Sequence, residues 1–413
     1  MSILIQQVQL NGKRSDIFIE GNRIAAIGEK LSVTADQVID GREFIAVPAF
    51  YNTHTHAAMS LLRGYADNLE LMEWLQKHIW PAEAKMGAEH IYWGTKLACL
   101  EMIKSGTVFF NDMYFFPQRI ADAVREMGLR AAIGMTTLEA SPNAELIRRN
   151  NEEIWANRAK LPKTISLTLA PHAIYTVCGE TLAKLADFAS RENLKISIHL
   201  SETAGEVEQC RKDHNGMTPV EYLDSLGFLS ERVIAAHAVH LTDSDMTLMA
   251  ARKAAVAFNP CSNMKLLSGL MPFRKMSDAG VNVTIGTDGN ASNNSLSMFD
   301  EMKAAAITAE LSAQTTTACT AEEIFTAATR NGARTFGLDA GEIAPGKLAD
   351  LLLLDARTPC LVPCHNLLSN LVYSADSSCV NTVICDGKIL MRNRQVSGEN
   401  VIIDKAAEFA AML

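Results

Sequence analysis

Phe44-Ile-Ala-Val-Pro-Ala-Phe-Tyr-Asn-Thr-His-Thr-His56 begins as an apolar run of strand length and ends in two histidines one residue apart. Side chains at i and i+2 of a strand point to the same side, so His54 and His56 aim two imidazoles at one point. Neutral imidazole is a favoured ligand of zinc and of several other first-row metals. A surface histidine pair at a strand end reads the same way, so the pair gains meaning only from what the chain sets beside it.

Outward from this stretch the texture differs on the two sides. Residues 2–47 read as short strands, Ile3-Leu-Ile, Asp16-Ile-Phe-Ile-Glu and Arg23-Ile-Ala-Ala-Ile, bounded by the turn pairs Asn11-Gly12, Gly21-Asn22 and Asp40-Gly41. The same texture returns at the far end, in Leu348 to Leu354, Val380 to Ile384 and Ile389-Leu-Met around Asp386-Gly387. Two β-rich ends around a long middle predict that the termini pair into one small β domain. The middle alternates, with candidate strands at 44–54, 107–113, 131–138, 165–171, 196–201, 233–238, 254–259 and 281–287. Amphipathic helical stretches such as Glu89 to Ser105, Pro117 to Met127, Glu180 to Glu192 and Asp243 to Lys253 separate them, and Gly106, Gly128 and Gly280 stand where helices end. Repeated β-then-α units imply a parallel sheet, and eight of them fit a closed barrel. The expected fold is α/β: a (β/α)8 TIM barrel over 49–344, flanked by sandwich parts at 1–48 and 345–413, the latter with a C-terminal helix.

Composition narrows the class. A length of 413 residues, 48% hydrophobic and 21% charged, is ordinary for a globular chain. A net charge of −9 without a clustered Lys/Arg stripe argues against nucleic acid as a partner. The nine cysteines form no CxxC and predict no disulfide framework. Cys360, Cys364 and His365 lie close together but lack a fourth ligand at zinc-finger spacing. No membrane-spanning run and no secretory leader is legible, so a cytoplasmic location is expected.

Barrel chemistry sits at the C-terminal ends of the strands. Standing there are His54 and His56, then His172 of Leu169-Ala-Pro-His, then His199 and Glu202 of Ser197-Ile-His-Leu-Ser-Glu, then His237 of Ala235-Ala-His, and Asp288 of Gly286-Thr-Asp-Gly. Singly, His172 or His237 reads as a hydrogen-bonded core histidine and Asp288-Gly289 as a turn. Together they converge on one mouth. The first strand-to-helix connection is long and holds the amphipathic stretch Leu69 to Trp80, closed by Pro81; a lid over 57–88 is one reading, and a surface helix packed by Trp74 and Trp80 the other.

These residues resemble the amidohydrolase superfamily over nearly the whole chain. Within it the closest likeness is to the 5′-methylthioadenosine/S-adenosylhomocysteine deaminases, carried by Asn52-Thr-His-Thr-His56, Trp80-Pro-Ala-Glu83, Ala170-Pro-His172, His199-Leu-Ser-Glu202 and Gly286-Thr-Asp-Gly-Asn-Ala-Ser-Asn293. Binuclear members resemble one another in a carboxylated Lys at the end of strand 4, and here that place reads Leu-Ala-Pro-His172. The resemblance therefore implies one divalent ion, zinc first and iron or manganese next, held by His54, His56, His199 and Asp288 with water completing the shell. It implies attack of that water on C6 of an adenine ring, Glu202 shuttling a proton to N1, His237 orienting the water, and Asp288 passing the water's proton to departing ammonia.

For the substrate, the resemblance implies Glu83 on the ribose hydroxyls and His172 on sugar or base, with Trp80, Met59 and Leu62 packing the thioether. A homocysteine carboxylate calls for an Arg fork, and the segment after strand 3, Gly134-Met-Thr-Thr-Leu-Glu-Ala, has none. Arg148 and Arg149 are the remaining candidates, which favours 5′-methylthioadenosine over S-adenosylhomocysteine. The rival within the superfamily is a guanine, cytosine or triazine amino- or chlorohydrolase. The rival outside it is a metal-free binding protein on the same scaffold. Barrels of this type are often homodimers, but the sequence marks no surface for one.

Overall fold

The computed structural model describes residues 1–69 and 71–413. Five strands open the chain, β1 (Ser2–Leu10), β2 (Lys13–Glu20), β3 (Arg23–Gly28), β4 (Gln37–Asp40) and β5 (Phe44–Pro48). Eight follow, β6 (Phe50–Thr55), β7 (Thr107–Asp112), β8 (Arg130–Thr137), β9 (Ile165–Pro171), β10 (Lys195–Leu200), β11 (Val233–His237), β12 (Ala255–Phe258) and β13 (Asn282–Ile285). The last three are β14 (Leu351–Asp355), β15 (Val380–Cys385) and β16 (Lys388–Met391).

Strands β6 to β13 pair in sequence order, every pair parallel. Burial on both faces explains the apolar runs within β7 and β8. The barrel closes between β13 and β6 by mixed means. Thr53 Oγ1 donates to the Ile285 carbonyl at 3.0 Å, Asn52 Nδ2 to Thr287 Oγ1 at 2.7 Å, and the Asp288 N–H to the His54 carbonyl at 3.0 Å. The helices Ala88–Ser105 and Pro117–Met127 end at Gly106 and Gly128 with φ of 91° and 78°, the left-handed cap that glycine takes without strain.

The two chain ends build one mixed sheet, ordered β16-β15-β14-β5-β1-β2-β3 with β4 beside β1. Ile3, Ile5, Ile17, Ile19, Leu351, Leu353 and Ile384 form its core, separate from that of the barrel. The sequence reads 44–54 as one strand, and the structure divides it. Phe44–Pro48 pairs antiparallel with β14, and Phe50–Thr55 enters the barrel. Pro48 has no N–H for a continuing ladder, and the next donor, the Ala49 N–H, turns to the Asp350 carbonyl. The C-terminal helix Glu399–Ala410 rests on the barrel helix Ala88–Ser105, through Lys104–Glu399 at 2.7 Å and the Phe409 ring on His90.

The stretch 69–80 is not one regular helix; Glu70 itself lies outside the described residues. An α-turn at Leu71–Trp74 passes through a π-helical turn at Leu75–Ile79 into Trp80–Glu83. Pro81 does not close the helix. It sits in the first turn of the last piece, where its missing N–H is absorbed by the widened turn before it. The helical path thus continues to Glu83, which reaches the barrel mouth.

Arg130 joins sheet and barrel. Nearly buried, it lies 2.8 Å from Asp350 and 2.6 Å from Asp386, and Asp350 also accepts from the Tyr51 hydroxyl at 2.7 Å. Arg130→Ala strands the buried Asp350 carboxylate, so urea unfolding should show a loss of about 3–5 kcal/mol. A loss below about 1 kcal/mol would mean that the pair behaves like a surface ion pair.

Candidate active site

Each chemistry-bearing side chain stands where a barrel strand gives way to its loop. His54 is in the last part of β6 and His56 just beyond it, His199 is in β10, His237 ends β11, and Asp288 lies just past β13. Four residues there hold left-handed backbone, Ser201 (φ 50°), His237 (φ 71°), Ala238 (φ 50°) and Asp288 (φ 58°). Such conformations cost on the order of 1–3 kcal/mol each and cluster at functional sites.

His54, His56, His199 and Asp288 each offer a donor atom, and these atoms lie within 4.8 Å of one another. Asp288 Oδ1 is 3.1 Å from His56 Nε2 and 3.4 Å from His54 Nε2. The Nδ1 atoms of His56 and His199 meet the carbonyls of Met113 (2.6 Å) and His172 (2.8 Å). A carbonyl only accepts, so both Nδ1 atoms carry a proton, and in the neutral rings both Nε2 atoms present lone pairs. Those lone pairs face each other at 3.3 Å. Both nitrogens of the fully buried His54 lack a hydrogen-bond partner, and burial holds its imidazole down to about 4, in the neutral form. Facing lone pairs, an unpartnered imidazole and a carboxylate fit a cation between them. Cys360, Cys364 and His365 form no such group; among the described residues this is the one whose donors converge.

Around this group stand the acid and base candidates. Glu202 is buried, its Oε1 accepts from Ser268 Oγ at 3.1 Å, and its Oε2 lies 3.7 Å from His237 Nε2. Burial pushes its carboxyl up. His237 Nδ1 donates to Asn263 Oδ1 at 2.7 Å. Asp288 Oδ2 accepts from Ser262 at 2.6 Å and Ser292 at 2.8 Å. Behind Glu202, the Glu206 carboxylate accepts the N–H groups of Ser201 and Glu202 at 2.9 and 2.8 Å. His172 packs against His199 with ring centroids 4.8 Å apart, and its Nδ1 meets Thr176 Oγ1.

A cleft opens over these groups. Its walls are largely apolar, with Met59, Leu71, Trp74, Leu75, Trp80 and Leu138 among them. Glu83 enters this lining; burial pushes its carboxyl up to about 7, against the Tyr114 hydroxyl and His56, which pull it down. Among the described residues the lining contains neither Lys nor Arg. Trp80, Glu83, His172, Glu202, His237 and Asp288 all reach the cleft. Arg148 does not: it lies on the exposed face of Ala144–Asn157, where Glu145 and Glu152 hold it, and Arg149 pairs with Glu145. Leu62 is fully buried and does not line the cleft.

Sequence reasoning passed over Ser262, Asn263, Ser268 and Ser292. Ser292 lay inside the Gly286–Asn293 motif. Ser262 and Asn263 lie within the short helix Pro260–Lys265 beyond β12, past the strand end itself. Ser268 follows a short helix and had no local signal.

A parallel barrel with three imidazoles and a carboxylate converging at its mouth, beside a buried acid and a further imidazole, defines a metal-binding barrel hydrolase. The chain belongs to the amidohydrolase family, which it matches over residues 45–390. It is 45% identical over 407 residues to a 5′-deoxyadenosine deaminase of Methanothermobacter thermautotrophicus, covering 97% of this chain and 95% of the relative. It is also 45% identical over 400 residues to a 5-methylthioadenosine/S-adenosylhomocysteine deaminase of Archaeoglobus fulgidus, covering 96% and 94%. A crystal structure of an adenosine deaminase from Xanthomonas campestris with bound zinc superposes with a TM-score of 0.93 at 33% identity, covering 99% of this chain and 98% of that one. The chain is accordingly a hydrolase acting on C–N bonds. No described helix is long and apolar enough to cross a membrane.

Proposed function

We propose that the chain hydrolytically removes the 6-amino group of an adenosine bearing a small uncharged 5′ substituent, giving the inosine analogue and ammonia. The observation that carries this reading is the cleft itself: the Glu202–His237–Asp288 group lies in it, Glu83 enters its lining, and among the described residues neither Lys nor Arg stands in its walls. The names of the relatives support a 5′-modified adenosine as the substrate, one of them naming S-adenosylhomocysteine beside the thioether.

In this reading His54, His56, His199 and Asp288 hold one divalent ion, zinc first and iron or manganese next. When bound, such an ion lowers the pKa of water from 15.7 toward about 7. Glu202 gives the proton on Oε2 to ring N1 as water adds at C6. His237, its Nδ1–H fixed on Asn263, turns the Nε2 lone pair toward the incoming water and orients it. Asp288 takes one proton from the water and hands it to the departing amine. The Glu202 carboxylate recovers a proton from the C6 hydroxyl, leaving a carbonyl at C6 and hydrogen on N1. Glu83 accepts from the ribose hydroxyls, His172 contacts the sugar or base, and Trp80 and Met59 pack the 5′ substituent.

The tail of S-adenosylhomocysteine would carry a carboxylate into walls that, among the described residues, offer it neither Lys nor Arg, and burying an unpaired charge is expensive. 5′-Methylthioadenosine and 5′-deoxyadenosine have no such group. The larger apolar substituent of the thioether buries more surface, worth about 10-fold or more in a pocket of this kind. Initial rates of ammonia release with these nucleosides, adenosine and guanine, and of chloride release with a chlorotriazine, test the reading. The thioether should lead in kcat/KM, the deoxynucleoside should follow, and the homocysteine conjugate should fall at least about tenfold behind the thioether. A conjugate equal to the thioether removes the substrate preference, and reaction with only a free base or a triazine removes the sugar role of Glu83.

A further inference from the structure

The segment following β12 touches all three candidate catalytic groups. Ser262 donates to Asp288, Asn263 fixes His237, and Ser268 donates to Glu202. The last of these contacts comes from a residue that no motif singled out. Ser268 is 5% exposed, and its hydroxyl reaches Glu202 Oε1 at 3.1 Å. Its backbone is clamped on both sides. The Ser268 N–H donates to the Asn263 carbonyl at 2.9 Å, and the Ser268 carbonyl meets His240 Nε2 at 2.6 Å. Gly269 follows with φ 129°, where a Cβ would stand 2.9 Å from Val239 Cγ1 and 3.3 Å from His240 Nε2. The turn is built around a fixed position for Ser268. The Glu202 end is clamped too, because the Val239 and His240 N–H groups both donate to the Ser201 carbonyl.

We infer that Ser268 is a positioning residue that decides which oxygen of Glu202 handles the proton. A hydroxyl donating to Oε1 occupies that oxygen, so a proton on the carboxyl resides on Oε2, the oxygen 3.7 Å from His237. Without the hydroxyl the carboxyl can rotate and place its proton on the oxygen turned away from the ring. His240 holds Ser268 in place without touching Glu202 in this arrangement. The inference rests on the role given to Glu202 in the proposed reaction.

A double-mutant cycle on the metal-loaded enzyme tests it, with ammonia release from 5′-methylthioadenosine as the readout. Ser268→Ala should lower kcat about 10- to 50-fold with KM within about twofold. Ser268→Thr, which keeps the hydroxyl, should recover most of the loss, and Ser268→Cys, a weak donor, should not. In a Glu202→Gln background, Ser268→Ala should change kcat by less than about twofold, because the group it positions no longer carries the proton. A residue that merely holds the loop together would lower activity equally in both backgrounds, and that result overturns the inference. So does unchanged kcat in Ser268→Ala while Glu202→Gln is inactive, a result that leaves the proposed reaction standing. Near-normal turnover by Glu202→Gln alone removes the Glu202 role and the inference together.

Discussion

Glu202→Gln is expected to keep the bound ion and to lose about 10²–10⁴-fold in kcat. Glutamine retains the size of the side chain, and its carbonyl oxygen can still accept from Ser268, so the packing around the site changes little. What is lost is a titratable proton at the atom facing the ring. Burial raises the Glu202 carboxyl, so the protonated form extends toward neutral pH. An acid of this kind is active below its pKa and inactive above it, so the native enzyme should show an alkaline limb in kcat that the glutamine variant lacks. Metal analysis and a pH–rate profile on both proteins check the two halves of the statement. A glutamine variant with near-native turnover would exclude Glu202 as the proton carrier.

His199→Ala should separate from this pattern by losing ion and activity together. An ion that polarises the reacting oxygen is worth several kcal/mol, and at 1.36 kcal/mol per factor of ten its loss costs roughly 10³-fold or more. A ligand that binds only the folded state also raises the melting temperature. Chelator should therefore lower the melting temperature of the native protein and of Glu202→Gln, and leave that of His199→Ala unchanged. Retention of a full equivalent of metal by His199→Ala would remove this histidine from the ligand set.

The barrel was legible because its strands are buried on both faces and punctuated by turns. The runs ending at His199 and His237 and the helix Pro117–Met127 lie where the sequence put them. Phe44–Thr55 was harder. Two strands of different sheets follow one another there with only Ala49 between, and neither period nor composition changes at the break. The segment around Pro81 failed for a related reason: a proline signals a stop, but a π-helical turn ahead of it lets the helix path continue to Glu83. The convergence of His54, His56, His199 and Asp288 followed from the rule that strand ends share one mouth. The hydroxyls and amides that orient them did not, because Ser262, Asn263 and Ser268 occupy a short helix and turn where polar residues carry no periodic signal. Arg148 shows the converse. Its type suits a carboxylate tail, yet Glu145 and Glu152, one helical turn away on either side, already occupy it.

The seam between β6 and β13 joins residues more than 230 positions apart, and the same two strands deliver His54, His56 and Asp288. The donor set is therefore assembled only when the first and last staves of the barrel meet. A nascent chain that has emerged only as far as His56 owns a histidine pair and nothing to complete it, and tight ion capture must wait until the ring is shut. An ion taken up there would act as a clasp across the joint, so its slow release would mark how seldom the barrel springs open.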